Sequence, residues 1–153
     1  NIKYLTVHIN GGYKMLKAVK KSARKINKNL KILGVTVLTS LSDESLKKIG
    51  HTKSIRYLVA KQAKLAKAAG LDGVVCSGQE AGKLRREFGE DFCLVTPGIR
   101  LNDLNSDDQK RIVTPYDAIK SGSNYLVIGR PITRAPNPID VINTINESIN
   151  SLD

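Results

Sequence analysis

The chain has 153 residues, enough for one domain with a real core, and its 41% apolar and 25% charged content are globular values. No apolar run approaches the roughly 18 to 20 residues of a membrane span, and no charged start, apolar core and small-residue cleavage site marks a secretory signal. The formal net charge of +11 makes an anionic partner the first question to ask.

In chain order, Tyr4 to Val7 reads as a buried strand, followed by His8, Ile9, Asn10 and the turn signal Gly11-Gly12. A helix is predicted from Tyr13 to Asn27. Leu16, Val19, Ala23 and Ile26 repeat there at helical spacing, within a cluster of seven lysines (Lys14, Lys17, Lys20, Lys21, Lys25, Lys28 and Lys31) that also holds Arg24. The positive charge therefore reads as the solvated face of an amphipathic helix. A nucleic-acid surface is the sharper alternative, but no stacking aromatics are interleaved and no helix-turn-helix, zinc or single-strand-binding signature occurs.

Lys31 to Leu38 is a β-branched run closed by Thr39 and Ser40. Ser42, with Asp43 and Glu44 behind it, suits the start of a short helix that Gly50 stops. A longer helix is predicted from Ser54 to Ala69, ended by Gly70. Asp72 to Cys76 is strand-like and finishes at Ser77-Gly78. Gln79 to Phe88 is helical, and Asp91 to Val95 is a strand closed by Thr96-Pro97-Gly98.

The rhythm then breaks. Ile99 to Thr114 is polar and irregular, and a loop of about that length in a compact domain is usually functional or disordered. Pro115 opens a short helix ending near Gly122. Tyr125 to Ile128 is an apolar run of the kind expected for a parallel strand buried on both faces. It stops at Gly129, which leaves its peptide N–H unobstructed, and Arg130 follows with a planar fork of donors suited to a phosphate. A polar connection leads to a last helix near Ile139 to Ile149.

Five strands alternate with helices, and no hairpin turn joins any two of them. That pattern predicts an α/β fold of parallel strands with right-handed crossovers. Thr39-Ser40, Ser77-Gly78, Thr96-Pro97-Gly98 and Gly129-Arg130 put ligand-type chemistry at successive strand ends, which favours a section of a (β/α)8 barrel over an open sheet. Cys76 and Cys93 lie in apolar strands without metal-ligand spacing and read as buried reduced thiols, so the expected location is cytoplasmic.

The runs VTVLTS (35–40), LDGVVCS (71–77), LVTPGIR (94–100), DDQKRIVTP (107–115) and YLVIGRPIT (125–133) resemble, in order and spacing, the orotidine 5'-phosphate decarboxylase family. The resemblance implies a TIM barrel, usually a homodimer, that converts orotidine monophosphate to UMP and CO2 without metal or cofactor. By position, Gly129 and Arg130 are similar to the family's phosphate grip, and Gln109 to the loop residue that reaches the phosphate. Thr39 resembles the hydroxyl residue on the pyrimidine amide edge, and Pro97 and Gly98 match the strand end beside the base. His8 reads as a structural, hydrogen-bonded residue and Arg100 as a partner in a loop ion pair.

The family's Asp-x-Lys-x-x-Asp motif does not occur in these residues. The chain is therefore expected to correspond to the fourth through eighth barrel units, a single partial domain over 1–153 entered after its catalytic strands. No catalytic residue is assigned. The expected partners are the nucleotide and either a second copy or the missing N-terminal segment, with no nucleic acid and no membrane. A non-catalytic, self-associating remnant is the alternative.

Overall fold

A computed structural model describes residues 2–101 and 111–151. Its strands are β1 (Tyr4–His8), β2 (Lys31–Val35), β3 (Gly73–Val75), β4 (Cys93–Thr96) and β5 (Tyr125–Leu126). They form one parallel sheet in sequential order, β1-β2-β3-β4-β5. The helices are α1 (Gly12–Ile26), α2 (Asp43–Lys48), α3 (Ile55–Ala68), α4 (Gly78–Phe88), α5 (Pro115–Lys120), α6 (Arg130–Thr133) and α7 (Pro138–Asn150). A strictly sequential parallel sheet built from βα units is a section of a (β/α) barrel.

Register separates the two faces of the sheet. Leu33 pairs with Gly73 and Gly73 with Cys93, while Val35 pairs with Val75, Val75 with Val95 and Val95 with Tyr125. These residues share the inner face, because side chains alternate along a strand. Ile32, Val74 and Leu94 point the other way and are fully buried with Leu16, Val59, Ala63, Ala66 and Leu84 from the helices. The core thus lies between sheet and helices, and the inner face carries the smaller share of burial. Gly73 is required on that face: a Cβ there would sit 2.0 Å from the Cys93 carbonyl oxygen.

Local signals set the helix starts. Ser42, Ser54, Ser77 and Thr114 each accept a hydrogen bond from a backbone N–H of the helix they precede. Asp43 also accepts from the Ile55 N–H at 2.6 Å, tying α2 to the start of α3. The lysine-rich helix is mostly a solvated face, but Lys20 is buried and ion-paired with Asp72, whose carboxylate also accepts from the Ile32 N–H at 2.7 Å. Arg85 spans the entries to β4 and β5, donating to the carbonyls of Gly122, Gly89 and Phe92 and to Asn124 Oδ1.

Several expectations need correction. β2 stops at Val35 rather than Leu38: Thr36 turns its hydroxyl onto the Val75 carbonyl at 2.7 Å, and the carbonyls of Val37 and Leu38 leave the ladder for Arg111. β1 and β5 are not buried on both faces. Among the described residues each is an edge strand with one neighbour, and Leu5, Tyr125 and Val127 are exposed. Ile26 ends its helix exposed instead of closing the apolar stripe. The connection after Gly129 is itself a short helix, α6.

Candidate functional site

The C-terminal ends of the strands face one way, as they must in a parallel sheet, and the residues after them build the rim. After β2 come Val37, Leu38, Thr39 and Ser40. With Val35, Val75, Cys76 and Pro97 they line a cavity of about 220 Å³. Thr39 and Pro97 therefore lie on one wall system although 58 residues separate them, and Thr39 is buried. Gly98 follows with a φ of +77°, a backbone that side chains other than glycine rarely adopt. Its carbonyl accepts from the Val113 N–H at 3.3 Å, and Val113 returns a bond to the Arg100 N–H at 3.0 Å, so β4's exit is tied to the segment entering α5.

Gly129 and Arg130 stand at the exit of β5, the strand beside β4. The Val127 N–H donates to the Thr96 carbonyl at 2.9 Å, which fixes the register two residues before Gly129. A Cβ added to Gly129 would meet no described atom within 4 Å, so crowding by the protein does not explain the glycine. Arg130 is half-buried at the first turn of α6, with Pro131 behind it. Gln109 lies outside the described residues. His8 ends β1, is exposed, and borders a separate cavity with Asn10, His51 and Gln62. Arg100 is buried and donates to the Ile99 carbonyl at 2.8 Å.

Sequence reasoning missed one arrangement. Arg111, the first described residue after 102–110, is buried against Glu80 of α4, with Nη1 2.6 Å from Oε1. Its Nη2 donates to the carbonyls of Val37 at 2.8 Å and Leu38 at 3.1 Å, and its own carbonyl accepts from Ser77 Oγ at 3.3 Å. Burial pushes the Glu80 carboxyl above its ordinary range despite the guanidinium beside it. An arginine in a polar run gives no sign that it will be buried, so nothing at the sequence level distinguishes Arg111 from its neighbours.

Both cysteines are free and buried, as expected of thiols in apolar strands. Burial pushes the Cys76 thiol up to about 12, with Glu80 adding to the shift, so this sulfur is no nucleophile. Among the described residues no cluster of three His, Cys, Asp or Glu side chains could hold a metal ion, and no helix is long and apolar enough to cross a membrane. The rim brings a hydroxyl and an apolar wall to one cavity and sets a glycine and a guanidinium beyond the neighbouring strand. Among the described residues it presents no paired carboxylate and lysine at the C-terminal end of a strand.

Residues 1–145 match the family model for the orotidine 5'-phosphate decarboxylase / HUMPS family. The chain is 52% identical over 145 residues to the orotidine 5'-phosphate decarboxylase of Hydrogenovibrio crunogenus, covering 95% of this chain and 61% of that one. It is 49% identical over 148 residues to that of Hahella chejuensis, covering 97% and 64%. The crystal structure of orotidine 5'-phosphate decarboxylase from Lactobacillus acidophilus superposes with a TM-score of 0.79 at 37% identity, over 97% of this chain and 64% of that one. The chain thus spans less than two thirds of the length of these relatives. With nearly all of its residues inside the family model, the chain belongs to the orotidine 5'-phosphate decarboxylase / HUMPS family.

Proposed function

We propose that this chain supplies the phosphate- and pyrimidine-binding rim of an orotidine 5'-phosphate decarboxylase and does not by itself carry the decarboxylation. The observation that carries the reading is the shared cavity of Thr39 and Pro97, the latter directly after β4, the strand paired with the one that leads to Gly129 and Arg130. In this reading Arg130 and the Gly129 amide take the nucleotide's phosphate as charge-assisted donors, and Thr39, Pro97 and Gly98 face the base. Gln109 joins the phosphate contact from its loop.

Decarboxylation builds charge on a ring carbon, and its rate depends on charged groups preorganised around that carbon. The family's Asp-x-Lys-x-x-Asp residues would be those groups, and these 153 residues do not contain the motif. A phosphate grip binds ground state and transition state alike and does not raise the chemical rate. The chain therefore binds UMP without turning over orotidine monophosphate, and a segment carrying the motif restores CO2 release.

Calorimetry with UMP tests the binding half. Arg130→Ala is expected to cost about 1.5 to 3 kcal/mol, a loss of roughly ten- to hundred-fold in affinity. No heat at millimolar UMP rejects the site. A second reading, a self-associating remnant without nucleotide binding, is favoured by the exposed Tyr125, Val127 and Leu38. It predicts concentration-dependent assembly together with silence in the UMP titration.

A further inference from the structure

We propose that Arg111 is a positioning residue for Thr39, holding the cavity wall after β2 in the shape that receives the base. The inference rests on the nucleotide-binding reading above. Its geometry is a planar fork used on two sides. Nη1 meets Glu80 Oε1 at 2.6 Å, and Nη2 reaches the carbonyls of Val37 and Leu38, the two residues directly before Thr39. Both side chains are buried, Glu80 at 6% and Arg111 at 7% exposure, so water does not compete for these bonds.

The chain places these groups far apart: Arg111 lies 74 residues from Val37 and 31 from Glu80. One guanidinium therefore ties the exit of β2 to the first turn of α4 and to the segment that leads into α5. Ser77 completes the junction, since its hydroxyl donates to the Arg111 carbonyl at 3.3 Å and caps α4 by accepting from the Gln79 N–H at 3.3 Å. Val37 and Leu38 have left the β ladder, so Arg111 holds the Val37 carbonyl and shares the Leu38 carbonyl with the Leu41 N–H, which donates to it at 3.1 Å. A lysine has three donors on a single point and cannot satisfy the carboxylate and two carbonyls in one plane. Thr39 and Ser40 follow directly from those carbonyls and line the 220 Å³ cavity together with Pro97.

The test compares two ligands that share a phosphate. UMP needs both the grip at Arg130 and the wall at Thr39, whereas ribose 5-phosphate needs only the grip. Arg111→Lys is expected to weaken UMP by about ten-fold while leaving ribose 5-phosphate within about two-fold, since only bonds to the wall are lost. The loss is expected to vanish on a Thr39→Val background, because an effect routed through Thr39 cannot be lost twice. Glu80→Gln, which keeps an acceptor for Nη1, is the milder second variant and should show the same selectivity with a smaller drop. Lower thermal stability with an unchanged preference between the two ligands, in both variants, overturns the proposal. If the wild-type chain gives no UMP heat, the nucleotide reading fails on its own. Amide hydrogen exchange at Thr39 and Ser40 then decides the matter: faster exchange in Arg111→Lys keeps Arg111 as the anchor of that wall, and unchanged exchange removes it.

Discussion

The phenolic oxygen of Tyr4 lies 2.9 Å from that of Tyr125, and the two rings meet edge to face with centroids 5.4 Å apart. Tyr4 begins β1 and Tyr125 begins β5, the opposite edges of the sheet. Five flat strands would hold those edges about 19 Å apart at about 4.8 Å per gap. Two tyrosines bridge that gap only because the sheet curls as a barrel section does, with both rings on the concave face.

The contact is measurable through its effect on titration. The hydrogen bond to Tyr125, with desolvation behind it, pushes the Tyr4 phenol from 10.0 up to about 12. A raised folded value means that this contribution to stability is complete below pH 10 and is lost as pH climbs through about 12. Tyr125→Phe removes the acceptor, so an ultraviolet titration should show one phenol returning toward the ordinary value. A Tyr4 titration unchanged by the substitution would mean that the two edges do not meet in solution.

Arg85 makes a prediction about folding. Its guanidinium donates to three backbone carbonyls and to Asn124 Oδ1, and the same Oδ1 accepts from the Leu94 N–H at 2.8 Å. Arg85→Ala takes the guanidinium from the Gly122 and Phe92 carbonyls, which are partly buried, and from the more exposed Gly89 carbonyl, while Asn124 Oδ1 keeps the Leu94 N–H; it is expected to cost about 2 kcal/mol. Arg85→Lys should recover only part of that. Urea unfolding of the three proteins measures it, and a loss under about 1 kcal/mol would show that solvent replaces the network.

The order of elements was legible in the sequence because apolar periodicity marks the helices and four of them carry their own capping residue. Ser42, Ser54, Ser77 and Thr114 cap where a capping residue precedes an apolar-periodic run. Strand lengths and burial were not legible. Tyr125 to Ile128 has the composition of a doubly covered strand, and its exposure depends on which strand lies beyond it, a fact no local pattern contains. Thr39, Pro97, Gly98, Gly129 and Arg130 announce themselves as small, polar or cationic residues at strand ends. Arg111 does not, because its role is set by Glu80 and by carbonyls 73 and 74 residues away.

Cys76 should be inert in the folded protein. Burial, with the Glu80 charge behind it, pushes its thiol from 9.0 to about 12, so the thiolate that alkylates is scarce near neutral pH. Its contribution to stability is complete below pH 9.0 and is lost as pH rises through about 12. Iodoacetamide labelling at about pH 8 followed by peptide mapping should leave Cys76 unmodified in buffer and modified in urea. Labelling at equal rates in both states contradicts the packing around it.

The buried ion pair sets a pH dependence of definite sign. Glu80 titrates above 4.5 in the folded chain because burial outweighs the pull of Arg111 and the more distant Arg56. Its protonation therefore favours the fold: the contribution is complete below 4.5 and is lost as pH rises through the higher folded value. Glu80→Gln cannot titrate. The melting temperature of the wild type minus that of Glu80→Gln should fall as pH is raised above 4.5 and level off once the folded carboxyl has ionised. A difference that grows with pH would show that the guanidinium, not burial, governs this carboxyl.

The concave face makes the last prediction. Val35, Val75 and Val95 lie half-buried along it, Tyr125 and Val127 are 50% and 52% exposed at its β5 side, and Leu38 is 49% exposed at its rim. Leu5, on the helix-facing side of the other edge strand, is 44% exposed as well. Apolar area left in water forgoes about 25 cal/mol for each Å² that a partner could cover, and an unpaired parallel edge offers backbone donors and acceptors to any strand that arrives. The chain studied alone should therefore bind a hydrophobic dye and sediment as an assembly that grows with concentration. Val127→Lys places a charge at the open β5 side without touching the helix-facing core, and should shift the distribution toward monomer while the melting temperature changes little. A wild-type chain that sediments as a monomer at all concentrations and leaves the dye dark would mean that this face is covered from within.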